Sequence, residues 1–236
     1  MSKKIAVIFG GGTGRRVSNI DIPKQFIEIG GKPIIAHTLQ YFQDHSEIDA
    51  IYISCVDGWQ DHLQKIVRNN NFSKVKKIVT GGNTSQKSIF NALLAASSDY
   101  ESDTLVLIHD AVRPIISEAL ITNVIEDAQQ FGNAVTCTMA NETPVISEDG
   151  KSIIDMPKRS NMYVAQAPQA FHLGKITDAH IKEQKTNPEY TDVVDSATLM
   201  MNFGERIHMV ISEYGNIKIT YPEDVEYLRG YLVREQ

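Results

Sequence analysis

Three cations stand close behind a run of small residues near the start of the chain. Gly10-Gly11-Gly12-Thr13-Gly14 is followed at once by Arg15 and Arg16, then by Lys24 behind Pro23. With almost no side chains in the way, backbone N–H groups in such a turn can close around phosphate oxygens. The cations behind it suit a polyphosphate carrying several negative charges. A glycine turn also serves dinucleotide enzymes, so the glycines alone do not separate hydride transfer from nucleotidyl transfer. Their neighbours do. The third glycine of a G-x-G-x-x-G spacing falls at Arg15. A nicotinamide enzyme needs a ribose-binding acid at the end of its second strand, but here that strand runs through Cys55 and Val56 before Asp57. Pro23-Lys24-Gln25 has no role in hydride transfer. A triphosphate fits better.

Two further stretches carry chemistry. Residues 80–87, Thr-Gly-Gly-Asn-Thr-Ser-Gln-Lys, lead into a helix expected over 88–96. They read either as a second backbone-rich cradle at a helix N-terminus or as an ordinary strand–turn–helix connection. His109-Asp110-Ala111-Val112-Arg113-Pro114 follows the apolar run 104–108. Ligands of open α/β sheets bind beyond the carboxyl ends of the strands, so Asp110 stands where a metal-binding carboxylate would be useful.

The elements that must position these residues follow from periodicity. The unbroken apolar run at 5–9 reads as a strand covered on both faces, and largely apolar strands are expected at 51–55 and 104–108. Shorter strands are expected at 77–79 and 134–138, with amphipathic helices over 33–44, 59–67 and 118–131. His37 and His45 read as surface or capping residues. Strands alternating with helices predict a mostly parallel sheet with helices on both faces. The rhythm breaks over 141–163, a polar stretch with the turn Glu148-Asp149-Gly150-Lys151, read as a projecting β-arm or an ordinary surface hairpin. Beyond it we expect helices over 175–182 and 196–203, the second opened by Asp195, and strands at 207–211 and 216–220. The last helix starts at Thr220-Tyr221-Pro222-Glu223, a capping box with proline in its first turn. No repeat or linker interrupts the 236 residues, which read as one domain over 1–236.

Composition excludes other classes. A formal net charge of −6 argues against a broad nucleic-acid surface, so the clustered cations are local tools. Cys55 and Cys137, without a C-x-x-C, read as buried thiols in a reducing compartment. The short apolar run at 5–9 meets glycines at once and does not resemble a signal peptide. No run is long enough to span a bilayer, and a cytoplasmic protein is expected.

The glycine–arginine loop, Pro23-Lys24-Gln25-Phe26, the 109–114 run, Ala167-Pro168-Gln169 and Asn216-Ile217-Lys218-Ile219-Thr220 occur in this order. Together, over nearly the whole chain, they resemble the cytidylyltransferases that make CDP-linked polyols. The two branches of that family act on 2-C-methyl-D-erythritol 4-phosphate and on ribitol 5-phosphate. The resemblance implies a Rossmann-like nucleotidyltransferase fold, CTP and a polyol phosphate as substrates, pyrophosphate release, Mg²⁺, and a homodimer formed through the arm. It implies that Arg16, Lys24 and Lys218 stabilise charge on the phosphates, while Gly10 and the backbone of residues 11–14 hold the triphosphate. Gly82 and Ser88 would lie against the cytosine, and Asp110 would hold Mg²⁺. Arg113, Thr143 and Arg159 would bind the polyol phosphate, Arg159 from its own subunit or across the dimer.

Departures from the family pattern bear on the acceptor. The methylerythritol branch carries an aspartate just before the Asn-Ile-Lys run. This chain has Gly215 there and Glu213 two residues earlier, an arrangement like that of the ribitol branch. Glu213 is therefore the expected second metal ligand. Ala167 and Val194 stand where both branches usually place threonines that contact the acceptor's phosphate, and Thr191 is positioned to restore one hydroxyl if the loop is realigned. The expectation is a cytidylyltransferase using ribitol 5-phosphate, with methylerythritol 4-phosphate or another sugar phosphate as the alternative. A GTP- or UTP-dependent nucleotidyltransferase and a catalytically silent nucleotide-binding partner are the rivals, and a dehydrogenase is a distant one.

Overall fold

A computed structural model of the protein describes residues 2–11, 22–212 and 215–234. In chain order it contains β1 (Lys4–Gly10), β2 (Glu28–Ile29), β3 (Lys32–Pro33), α1 (Ile34–Asp44), β4 (Ala50–Cys55), α2 (Gln60–Asn69), β5 (Val75–Thr80) and α3 (Ser85–Ser97). Then come β6 (Leu105–Asp110), α4 (Glu118–Phe131), β7 (Asn133–Met139), β8 (Tyr163–His172), α5 (Leu173–Thr186), α6 (Ser196–Asn202), β9 (Met209–Ile211) and α7 (Pro222–Arg234). The main sheet runs β5-β4-β1-β6-β8-β7-β9, and β8 alone is antiparallel to its neighbours β6 and β7.

Successive side chains of a strand point to opposite faces, and β1 shows why its apolar run is unbroken. Ala6 and Ile8 join a buried cluster with Leu39 and Phe42 of α1, Leu63 of α2 and Ile121 of α4. Ile5 and Val7 join another with Ile89 of α3, Ile176 of α5 and Leu199 of α6. The sheet is thus covered on both faces, as expected. A third cluster, with Ile29, Val112, Ile219 and Leu228, fixes α7 and the segment before it against the end of β6. Both cysteines are buried and free.

Several boundaries differ from the sequence reading. Helix α3 begins at Ser85, because the Thr84 hydroxyl accepts the Lys87 N–H as its N-cap. Strand β6 continues through Asp110, which is paired with Phe9 in register and so is fixed by the sheet. Ten residues with Pro168 among them form β8, a strand not foreseen. Residues 216–220 are not a strand: besides the local bond of Ile217 N–H to the Gly215 C=O, Ile219 N–H bonds the Val112 C=O at 2.9 Å, and the side chains of Asn216 and Lys218 bond across to Ala167 and Asp110. The arm carries a single antiparallel bridge, Ile146 to Asp155, around a turn in which Asp149 accepts the N–H groups of Lys151 and Ser152.

The cap of α7 is also built differently. Asp224, not Glu223, reaches back, accepting the N–H groups of Thr220 and Tyr221 at 2.7 and 2.8 Å. Asp224→Ala leaves both donors without a partner and is expected to cost about 1 kcal/mol. Thermal unfolding checks this, with Glu223→Ala expected to cost less.

Candidate active site

Strand β1 leads one way along the sheet to β4, and β6 leads the other way to β7, so the crevice between their carboxyl ends is a topological switch point. Gly10 and Gly11 leave β1 there, and Asp110 ends β6 beside them. Two oxygens of one carboxylate divide two cations. Asp110 Oδ1 lies 2.6 Å from Lys218 Nζ, and Oδ2 lies 2.9 Å from Arg113 Nε. Asp110 is 5% exposed. Burial pushes its carboxyl up, but the Lys218 and Arg113 charges outweigh this and hold it below the usual carboxylate range.

The cations are aimed by the backbone around them. Arg113 also donates to the Asn216 carbonyl at 2.7 Å, and Asn216 Nδ2 donates to the Ala167 carbonyl at 2.6 Å. His109, fully buried, donates through Nε2 to the Arg113 carbonyl at 3.1 Å. Burial lowers its pKa to about 4, so the ring is neutral near pH 7. Lys24 Nζ donates to the Ile219 carbonyl at 2.7 Å, and Gln25 Nε2 to the Gly10 carbonyl at 2.7 Å. Phe26 stacks on Trp59 with centroids 5.0 Å apart, fixing the Pro-Lys-Gln-Phe run against α2.

The two glycine stretches meet. A Cβ added to Gly11 would fall on the Ser88 Oγ, and one on Gly81 would come within 2.7 Å of the Gly11 Cα. Ser88 Oγ in turn accepts the Gly82 N–H at 3.0 Å and donates to the Thr84 carbonyl at 2.9 Å. Gly11→Ala must therefore push the two turns apart. We expect it to raise the KM for nucleotide by about tenfold or more, measured by steady-state kinetics.

Between these groups and β8 lies a cavity of about 180 Å³, lined among others by Asp110, Arg113, Lys218, Gln166, Gln169 and Asp195. Gln169 Nε2 donates to Asp195 Oδ2 at 2.9 Å, while Asp195 Oδ1 caps α6 through the Thr198 N–H. Ala167 and Val194, the positions that depart from the family pattern, also line it. Thr191 is exposed and does not, so it restores no hydroxyl there.

The structure thus brings together Gly10, Gly11, Gly82, Ser88, Asp110, Arg113 and Lys218, with Lys24 held to the same 216–220 segment. It does not bring in Thr143 or Arg159, which sit exposed on the arm, Arg159 donating to the Asn141 carbonyl at 3.5 Å. Gly12, Thr13, Gly14, Arg15, Arg16 and Glu213 lie outside the described residues. Sequence reasoning assigned no role to Gln169 or Asn216. Both are buried polar side chains held by hydrogen bonds to distant segments, a duty that local spacing does not reveal.

A carboxylate between two cations, beside two interlocked glycine turns at a switch point, is an arrangement suited to a phosphorylated ligand in an α/β fold. The family described as IspD, 2-C-methyl-D-erythritol 4-phosphate cytidylyltransferase, matches residues 4–234, and the chain belongs to it. It is accordingly a nucleotidyltransferase of the cytidylyltransferase class. It is 43% identical over 220 residues to ribitol-5-phosphate cytidylyltransferase of Streptococcus agalactiae serotype Ia, covering 93% of this chain and 91% of that one. It is 37% identical over 225 residues to 2-C-methyl-D-erythritol 4-phosphate cytidylyltransferase of Clostridium botulinum strain Langeland, covering 95% of each. Among solved structures, 4-diphosphocytidyl-2C-methyl-D-erythritol synthase of Anaerococcus prevotii superposes with a TM-score of 0.83 at 29% identity. That match covers 99% of this chain and 97% of the other.

Proposed function

We propose that the chain transfers CMP from CTP to ribitol 5-phosphate, giving CDP-ribitol and pyrophosphate. The Asp110–Arg113–Lys218 cluster at the switch point carries this reading, and the greater identity to the ribitol-5-phosphate relatives favours that acceptor. A phosphate oxygen of the polyol attacks the α-phosphorus of CTP, forming a new P–O bond. The bond from that phosphorus to the oxygen bridging to the β-phosphate breaks, and the electron pair leaves with pyrophosphate. Transfers of this kind are catalysed mainly by positioning and charge stabilisation.

Gly10 and Gly11, with Gly12, Thr13 and Gly14, hold the triphosphate, and Lys24, Lys218 and Arg16 stabilise its charge. Gly82 and Ser88 receive the cytosine. Arg113 binds the acceptor, joined by Thr143 and Arg159 from the arm of a second copy. That dimer is supported by the arm's exposed apolar side chains, Ile153 at 60%, Ile154 and Met156 at 57% each. Among the described residues no three His, Cys, Asp or Glu side chains converge on a metal position. A Mg²⁺ ion is usually held by one or two carboxylates together with substrate phosphates. Asp110 fits that mode, since among the described residues each of its oxygens makes one ion pair and keeps a lone pair, and Glu213 is the second candidate. When bound, the ion would neutralise charge on the phosphates. Among the described residues no helix is long and apolar enough to cross a membrane, and two buried thiols suit the cytoplasm.

Mass analysis of the product formed from CTP, Mg²⁺ and ribitol 5-phosphate tests this. CDP-ribitol is the expected mass, and its absence with equimolar product from GTP or UTP instead would overturn the choice of base.

A further inference from the structure

Two buried polar side chains among those lining the cavity each carry an atom unpaired among the described residues. Gln86, 3% exposed in the first turn of α3, and Ser196, 2% exposed at the start of α6, both line it. The Gln86 Oε1 and the Ser196 Oγ have no hydrogen-bond partner among the described residues. Buried polar atoms are almost always bonded, so an unpaired pair beside one cavity calls for an explanation. The capping bonds nearby do not use them: Thr84 caps α3 and Asp195 caps α6. Of the cavity's charged groups, Asp110 lies on β6 with Arg113 just beyond it and Lys218 on the 216–220 segment, while Asp195 directly precedes Ser196 and accepts bonds from Gln169 and Thr198. The remaining wall includes Ile89, Ala167 and Val194, whose side chains cannot hydrogen-bond.

We propose that Gln86 and Ser196 read hydroxyl groups on the carbon chain of the acceptor and so determine which polyol phosphate is accepted. This rests on the transferase reading above. An amide oxygen accepts from a hydroxyl, and a serine hydroxyl both donates and accepts, so both side chains can bond hydroxyl groups of a polyol chain. A site built to bond a hydroxyl discriminates strongly against the analogue that lacks it, because its own polar group is then left unpaired.

Steady-state kinetics of Gln86→Met and Ser196→Ala test the assignment, using saturating CTP and varied ribitol 5-phosphate or its monodeoxy analogues. Each variant is expected to raise the acceptor KM by about tenfold while the CTP KM moves by less than about twofold. The preference of the wild type for ribitol 5-phosphate over one deoxy analogue should shrink by a similar factor, a readout that a purely structural role does not move. The Tm of each variant should not fall, since an unpaired buried polar atom has been removed. Unchanged acceptor KM and unchanged discrimination in an active wild-type background would overturn this assignment alone. A wild type silent with every polyol phosphate would overturn the underlying function and this assignment with it.

Discussion

Asp110→Asn is expected to lower kcat/KM by about 10²–10³-fold, the range found when one group that stabilises transition-state charge is removed. The asparagine keeps the shape but removes the charge that Arg113 and Lys218 share at 2.9 and 2.6 Å. Arg113, whose side chain is 11% exposed, is then buried without a counter-charge. Breaking a buried pair in this way costs about 3–5 kcal/mol of stability. The lower end applies here, because the Lys218 side chain is 42% exposed and water screens its half of the cluster. The pH dependence gives an independent check. The folded-state pKa of Asp110 is depressed, so its stabilisation is fully present above the unfolded value of about 3.9. It is lost as pH falls from there through the folded value. Denaturant midpoints followed from neutral to acid pH should therefore converge for wild type and Asp110→Asn at the acid end. Midpoints that differ by a constant amount would place the effect elsewhere.

Lys218→Ala is expected to separate catalysis from folding. Its ammonium is half exposed, lies 5.9 Å from the Phe9 ring centroid and reaches the cavity, while Arg113 continues to pair with Asp110 when it is gone. The fold should lose little, with a Tm near that of the wild type. Turnover should fall by about 10²–10³-fold, because a cation aimed at developing phosphate charge has been removed. The KM for the nucleotide should change less than kcat if that cation acts mainly in the transition state. Loss of kcat with an intact thermal transition is the expected pattern. A large fall in Tm with normal kcat at low temperature would make Lys218 a structural residue.

What was legible in the chain follows from which signals are local. Strands β1 and β6 announce themselves because both faces of the sheet are covered, so every residue from Ile5 to Ile8 is apolar. Strand β8 does not: Gln166, Pro168 and Gln169 break its apolar pattern, and the two glutamines bond distant groups, Gln166 accepting from Ser212 and Gln169 pairing with Asp195 and the Ala197 N–H. Residues 216–220 mislead in the other direction. Ile217 and Ile219 alternate like a strand, yet the segment is held by the bond of Ile219 to Val112 and by side chains that bond across the cavity. Asp110, Arg113 and Lys218 were identifiable by type and order. That they form one cluster depends on α7 and its apolar packing against Val112, a long-range contact that spacing does not encode. The contact of Gly11 with Ser88 is of the same kind.

The most direct test of the central claim is pyrophosphate release by the wild-type chain with CTP and Mg²⁺, comparing ribitol 5-phosphate with 2-C-methyl-D-erythritol 4-phosphate as acceptor. The account predicts a kcat/KM for ribitol 5-phosphate higher by at least about tenfold, the scale on which one pocket contact discriminates. A preference for methylerythritol 4-phosphate, or no release with either acceptor, would contradict it.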